Sequence, residues 1–171
     1  MSGHVVLIGL MGSGKSTVGL LLANLLDRDF LDNDVALGSL TGRSARAIEQ
    51  DAGRAVLHAV ERDVLARALS ADTAAVVAAA ASVVDTAEGQ RLLRDTAAVV
   101  WLRASPDLLA TRLADRDHRP LPADQDLRAL LTEMAARREA LFTAVATIVV
   151  DAANPPDEIA ARLVAELCSV K

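Results

Sequence analysis

The segment Gly9-Leu-Met-Gly-Ser-Gly-Lys-Ser-Thr17 carries the most chemically loaded spacing in the chain, G-x-x-x-x-G-K-[ST] at Gly9, Gly14, Lys15 and Ser16. Glycines let a backbone curl until successive N–H groups point inward, and a helix opening there adds its positive dipole end. Such a loop cradles phosphate oxygens. Gly12, Ser13, Gly14 and Thr17 would line the cradle, Lys15 would reach the β- and γ-phosphates as a catalytic cation, and Ser16 would offer its hydroxyl to Mg²⁺. The plain alternative is a glycine-rich turn that happens to end in Lys-Ser. An apolar run before the loop and a helical period after it favour the phosphate reading, which implies a nucleoside triphosphate as ligand.

A second cluster, Leu31-Asp-Asn-Asp34, ends another apolar run. In an extended chain residues i and i+2 face the same side, so Asp32 and Asp34 are expected to look together into the crevice at the carboxyl ends of the strands. Asp32 would hold Mg²⁺ through a water, and Asp34 would accept a proton from a substrate hydroxyl. The competing reading is an Asx-type turn that caps the next segment. Asp151 also follows an apolar run, but on the last strand, far from the glycine loop, where a structural role is expected. No His/Cys cluster suggests zinc.

The elements that must position these residues alternate along the chain. Apolar runs at His4–Ile8, Phe30–Asp32, Ala74–Ala78, Ala97–Leu102 and Thr147–Asp151 read as strands. Between them Val18, Leu21, Leu22, Leu25 and Leu26 recur at helical spacing, as do Val56, Leu57, Val60, Val64 and Leu65. Ser105-Pro106 reads as an N-cap and first helical residue of a helix to about Ala114. Arg128 to Ala144 forms another helix, and Pro155-Pro156 opens a last one with Ile159, Leu163 and Leu167 facing inward. Strands that are apolar throughout, separated by helices, predict an α/β fold: a five-stranded parallel sheet with helices on both faces, one domain over residues 1–171. The stretch from Asp115 to Asp124, charged and broken by two prolines, is either a solvated loop or a mobile cationic lid.

Apolar residues make up 52% of the chain, enough for a sizeable core, yet Phe30, Trp101 and Phe142 are its only aromatic residues. Ala, Leu and Val must pack it, and nucleic-acid bases would find little to stack on. The net charge of −5 offers no long-range attraction to nucleic acid or anionic lipid, so neither is an expected partner. Cys168 is the single cysteine, which suits a reducing compartment. The longest apolar stretch, Ala74 to Val84, is too short to span a bilayer, and the first residues lack the basic start of a signal peptide. A cytoplasmic location is the expectation.

Taken together, these residues resemble the shikimate kinases, small enzymes of the P-loop NTPase fold and its nucleoside-monophosphate-kinase branch. The likeness runs over the P-loop, Asp32-Asn-Asp34, Thr41-Gly-Arg-Ser44, Glu61, Arg112, Arg119-Pro-Leu121, Arg138 and Asn154-Pro155. It implies ATP- and Mg²⁺-dependent phosphoryl transfer to a ring hydroxyl of shikimate. It implies that Asp34 binds the acceptor hydroxyls and that Arg119, on the lid, reaches the phosphates. Arg112 would pack on adenine beside an adenine loop at Asn154-Pro155, and Arg138 would bind the acceptor carboxylate. The residues alone leave Arg112, Arg116 and Arg119 readable as surface charge, with Arg116 so assigned, and Arg138 readable as part of a solvated helix face with Glu139. His4 and His118 are assigned no role.

Three departures fall on the acceptor side. The family's carboxylate-binding arginine upstream of Glu61 is matched by His58, in Val56-Leu-His-Ala-Val-Glu61. A family triple-glycine turn reads Ala79-Ala-Ala81, with Ala80 at the substrate. The family's arginine-x-Pro-Leu-Tyr reads Arg138-Glu-Ala-Leu-Phe142. A hydrogen bond to a charged group contributes roughly 1.5–3 kcal/mol, so losing one arginine–carboxylate contact weakens acceptor binding about ten- to a hundredfold. A protonated His58 would partly substitute, favoured by Glu61, and Arg54, one turn earlier, would reach the same place. If the alanines must adopt φ > 0, each costs on the order of 1 kcal/mol. The expectation is an ATP-dependent kinase with Mg²⁺, acting on shikimate or a related small acceptor. The alternatives are a kinase for a polyol or cyclitol without a carboxylate, or a nucleotide-binding sensor without turnover. A monomer or weak homo-oligomer is expected.

Overall fold

The computed structural model describes residues 3–114 and 126–169. The chain runs β1 His4–Ile8, α1 Lys15–Leu26, β2 Asp29–Asp32, α2 Asn33–Thr41, α3 Ala45–Ala52, α4 Arg54–Leu69 and β3 Ala75–Ala78. A 3₁₀ turn over Ala81–Asp85 then leads to α5 Ala87–Thr96, β4 Ala97–Arg103, α6 Pro106–Ala114, α7 Leu127–Val145, β5 Ile148–Asp151 and α8 Pro156–Ser169. The five strands form one parallel sheet in the order β2-β3-β1-β4-β5. The candidate lid at 115–124, with Arg116, His118 and Arg119, lies outside the described residues.

The central strand explains the three layers. All five residues of β1 are buried, and successive side chains leave a strand on opposite faces. Val6 and Ile8 join a core with Leu65, Leu93, Leu109, Leu131 and Phe142, so α4 to α7 cover one face. Val5 and Leu7 join Val18, Leu22, Ile159, Leu163 and Leu167, so α1 and α8 cover the other. Trp101 and Phe142 pack at 5.5 Å between ring centroids and fill much of the first core, where the smaller residues alone would leave space. A third, smaller core of Leu37, Ile48, Leu57 and Val64 holds α2, α3 and α4 together.

Helix starts agree with the local chemistry. Ser105 Oγ accepts from the Leu108 N–H at 3.2 Å, the N-cap that its place before Pro106 predicts. α1 begins differently: its N-cap Gly14 sits at φ 95° and supplies no side-chain cap. The first N–H groups of α1 therefore have no side chain capping them, which is the geometry an anion uses.

Candidate active site

The glycine loop lies between the carboxyl end of β1 and α1. Gly9 is at φ 146°, and a Cβ there would meet the Leu102 carbonyl oxygen and Ser13 Oγ at 2.8 Å each. Only glycine permits the loop to pass so close to β4. Lys15 folds back over the loop, with Nζ donating to the Gly9 carbonyl at 2.9 Å and the Leu10 carbonyl at 3.1 Å. Burial lowers its pKa from the usual 10.5 to about 8, although Asp34 and Asp32 pull it upward. The lysine is a desolvated cation held at the mouth of the loop. Gly12 and Gly14 have positive φ, Ser13 is buried with an unpartnered Oγ, and Thr17 is exposed.

Ser16 Oγ donates to Asp32 Oδ2 at 2.6 Å, while Asp32 Oδ1 accepts the Asp34 N–H at 3.0 Å. The Asx-cap reading of this aspartate is realised at the start of α2, and the same carboxylate stands beside the Ser16 hydroxyl. A hydroxyl and a carboxylate at the end of a phosphate loop are the hard oxygen donors that suit Mg²⁺. Asp34 does not continue an extended chain, as the i, i+2 argument expects. The chain turns helical at Asn33, so Asp34 lies in the first turn of α2, exposed and close enough to Lys15 to act on its charge.

Arg112 on α6, expected at the adenine, donates from Nη2 to the Ala152 carbonyl at 2.7 Å and from Nη1 to the Gly12 carbonyl at 3.4 Å. It ties α6 to the glycine loop and to the turn after β5. Asn154 and Pro155 stand exposed on that turn, and Asn154 Nδ2 donates to the Asp151 carbonyl at 3.1 Å. Asp151 Oδ1 accepts the Ala153 N–H at 2.8 Å, a turn-capping role in keeping with its structural assignment. A groove of about 590 Å³ runs from the glycine loop, at Leu10 and Ser13, along α6, α7 and the β4–β5 edge, where Trp101, Arg103, Glu139 and Val149 line it. Its lining includes neither Lys15 nor Asp34.

The residues expected at the acceptor lie on α4, the 3₁₀ turn and α7. Ala80 has φ −63° and ψ 141°, and no alanine of the described residues has positive φ. The strain expected if these alanines replace left-handed glycines is absent. Glu61 is buried and accepts from Ser82 Oγ. Burial raises its pKa; the Ser82 bond works against that rise, Asp34 and Glu49 add to it, and Arg138 opposes it. His58 is half-buried, and desolvation lowers its pKa despite Asp85 and Glu49, with Arg138 and Arg54 pushing the same way as burial. Glu61, expected to favour a protonated His58, is not among the charges acting on it; Asp85 and Glu49 raise its pKa, and burial works against them. Arg54 is held by Glu49 at 2.9 Å.

Arg138 is not part of a solvated helix face. It is 4% exposed, and its guanidinium grips Asp85 with two bonds, Nε to Oδ1 at 2.8 Å and Nη2 to Oδ2 at 2.6 Å. Arg137 approaches the same carboxylate at 3.4 Å. Sequence reasoning missed Asp85 and Ser82 as site residues. The one available signal was polarity inside and just after the apolar Ala74–Val84 run, where a buried polar side chain needs a partner.

The comparisons with known proteins agree with this geometry. The shikimate kinase family model matches residues 11–168. A shikimate kinase of Caulobacter vibrioides is 36% identical over 160 residues, covering 94% of this chain and 79% of that protein. One from Trichormus variabilis is 36% identical over 168 residues, covering 98% and 92%. A solved shikimate kinase from Acinetobacter baumannii, in complex with shikimate, superposes with a TM-score of 0.91 at 27% identity, covering 99% of this chain and 94% of that one. With residues 11–168 matched by the family model and nearly its whole length covered by these relatives, the chain belongs to the shikimate kinase family and is a phosphotransferase acting on a hydroxyl group.

Proposed function

We propose that this protein binds ATP with Mg²⁺ and transfers the γ-phosphoryl group to a hydroxyl of shikimate or a similar small polyhydroxylated acceptor. The carrying observation is the Ser16–Asp32 hydrogen bond at 2.6 Å, beside a desolvated Lys15 and an exposed Asp34. That constellation supports a phosphate cradle, a site for a divalent cation and a proton acceptor together past the carboxyl ends of β1 and β2. The N–H groups opening α1 and the Lys15 ammonium bind the β- and γ-phosphates, which draws Lys15 away from the Gly9 and Leu10 carbonyls. Ser16 and Asp32 would hold Mg²⁺, which neutralises charge on the phosphate oxygens when bound. Asp34 accepts the proton of the acceptor hydroxyl as its oxygen attacks the γ-phosphorus and the bond to ADP breaks. Arg112 and the Asn154-Pro155 turn flank the adenine, while His58, Glu61, Ala80 and Arg138 line the acceptor side. Arg119, outside the described residues, is assigned to the phosphates by family resemblance.

Net charge and aromatic poverty argue against nucleic acid as substrate. Among the described residues no helix is long and apolar enough to cross a membrane, and a single cysteine suits the cytoplasm. The test is product detection by mass spectrometry after incubation with Mg-ATP and a panel of small hydroxylated acceptors that includes shikimate. A phosphorylated acceptor should form, and Asp34→Asn should lower its rate by about a hundredfold or more. ATP bound without any product, or product undiminished in Asp34→Asn, overturns the proposal.

A further inference from the structure

Arg138 and Asp85 meet side-on: Nε donates to Oδ1 at 2.8 Å and Nη2 to Oδ2 at 2.6 Å. A guanidinium carries five N–H donors on one rigid plane, and this fork uses one on Nε and one on Nη2. Nη1 is left over, buried and without a partner. A buried charged donor with no acceptor is costly, and native structures rarely keep one idle. The charge at this place is also unbalanced. Arg137 approaches the same carboxylate at 3.4 Å, so two guanidinium groups share one aspartate and the wall keeps positive charge. Arg138 and Asp34 both act on Glu61, whereas Asp85 is not among the groups that do. The guanidinium thus shares a region with Asp34 and Glu61, while Asp85 holds it from the end of the 3₁₀ turn.

Resting on the proposed kinase reading, we infer that Asp85 is a positioning residue for Arg138: it clamps one edge of the guanidinium, so that the idle Nη1 and the second N–H of Nη2 form a fork for a carboxylate on the acceptor. Family resemblance gives Arg138 the acceptor carboxylate; the structure adds what holds Arg138 in place. A planar group fixed by one edge presents the adjoining edge in a set direction, and a carboxylate bound by two N–H groups at once needs that plane aligned before it arrives. Without Asp85 the side chain has other claims on it. Glu61 and Asp34 carry carboxylates in the same region, and a released guanidinium turns to them, so its fork is filled from inside the site. Asp85 prevents this by taking the edge that the ligand does not use. Its own negative charge weakens the pull on an anion, and Arg137 offsets that loss. Asp85 does not touch the acceptor.

The experiment compares shikimate with its methyl ester, which keeps the ring and hydroxyls and removes the charge. KM and kcat are measured for both at saturating Mg-ATP, and calorimetry gives both affinities without turnover. The unaltered protein should prefer shikimate by about tenfold or more. In Asp85→Asn and Asp85→Ser that preference should fall by about tenfold, through the KM for shikimate, while the KM values for the ester and for Mg-ATP stay within about threefold. A role in packing alone would weaken both acceptors together and leave their ratio unmoved. Circular dichroism checks that each variant folds. Asp85→Glu, which keeps the charge and moves the clamp by one methylene, serves if neither neutral variant folds, and it too should lower the ratio. An unaltered protein indifferent to the charge, or a ratio unmoved or raised in the variants that fold, overturns the inference and leaves the kinase reading standing. Transfer to no acceptor of either charge overturns the kinase reading itself, while the affinity ratio still decides the role of Asp85.

Discussion

Ser16 Oγ donates to Asp32 Oδ2 across 2.6 Å, joining the first turn of α1 to the end of β2. The bond fixes the spacing of two oxygen donors before any cation arrives. Asp32→Asn keeps an oxygen to cap α2 through the Asp34 N–H but removes the negative charge. The Mg²⁺ concentration giving half-maximal rate should rise about ten- to a hundredfold, the usual scale for loss of a metal-positioning group. ADP affinity without Mg²⁺ should change less than about threefold, since the α1 N–H groups stay in place and Asp32 is the smaller of the two carboxylate influences on Lys15. Rates titrated with Mg²⁺ and calorimetry with metal-free ADP check the two halves.

Lys15 sets a pH dependence with a definite sign. Its pKa is about 8 against an ordinary 10.5, so between those values the unfolded chain holds a proton that the folded chain has released. The lysine's contribution to stability therefore rises with pH across that window, and below it the folded protein carries a desolvated charge. Triphosphate binding reverses this by favouring the ammonium. Binding should take up little proton at pH 7 and approach one proton per site near pH 9, with affinity falling up to about tenfold per pH unit above 8. Calorimetry in two buffers of different ionisation enthalpy measures the uptake directly. Lys15→Arg should abolish it; uptake that survives in that variant assigns the proton to another group.

Glu61 is buried, with Ser82 Oγ donating to it. Ser82→Ala leaves that carboxylate one hydrogen bond short, at a cost of about 1–3 kcal/mol, or roughly 2–10 °C in Tm for a chain of this size. The effect depends on pH in a worked direction. Burial raises the Glu61 pKa, so its folded-state advantage is complete below the unfolded value of 4.5 and is lost as pH rises through the folded value. Removing Ser82, which opposes that rise, steepens the loss. Thermal melts at pH 5 and pH 7.5 should therefore show a larger Tm deficit at the higher pH.

What was legible in the sequence was local. The glycine loop can be read because its parts are contiguous and its flanking strand and helix are signalled by β1 and by the spacing of Val18, Leu21 and Leu22. The inner strands stand out because burial on both faces makes β3 apolar throughout, β1 apolar after His4 and β4 apolar up to Arg103. The edge strands β2 and β5 are partly exposed and end in aspartate, and Ser105-Pro106 marks the start of α6. What could not be read was pairing over distance. Asp85 and Arg138 are 53 residues apart, and nothing in either segment announces that the guanidinium is occupied. The surroundings of His58 are unreadable for the same reason: they depend on which charges pack around it and on burial, both products of packing. Asp34 was placed on an extended chain because the cap that turns Asn33 helical is made by Asp32 itself, a bond that competes with strand continuation.

The 3₁₀ turn that carries Ser82 and Asp85 is seated by a glycine on the next helix. A Cβ added to Gly89 on α5 would fall 1.9 Å from the Val83 carbonyl oxygen, a backbone atom that cannot step aside without moving the turn. Gly89→Ala should therefore overpack this contact, with a loss of about 1–3 kcal/mol and a Tm lower by roughly 2–10 °C. Because Asp85 follows Val83 by two residues, the displaced turn should also loosen its grip on Arg138. Mg-ATP affinity, assigned to α1 and β2, should stay within about threefold. Differential scanning fluorimetry and calorimetry test the two parts separately. An unchanged Tm would mean that α5 slides to admit the methyl group.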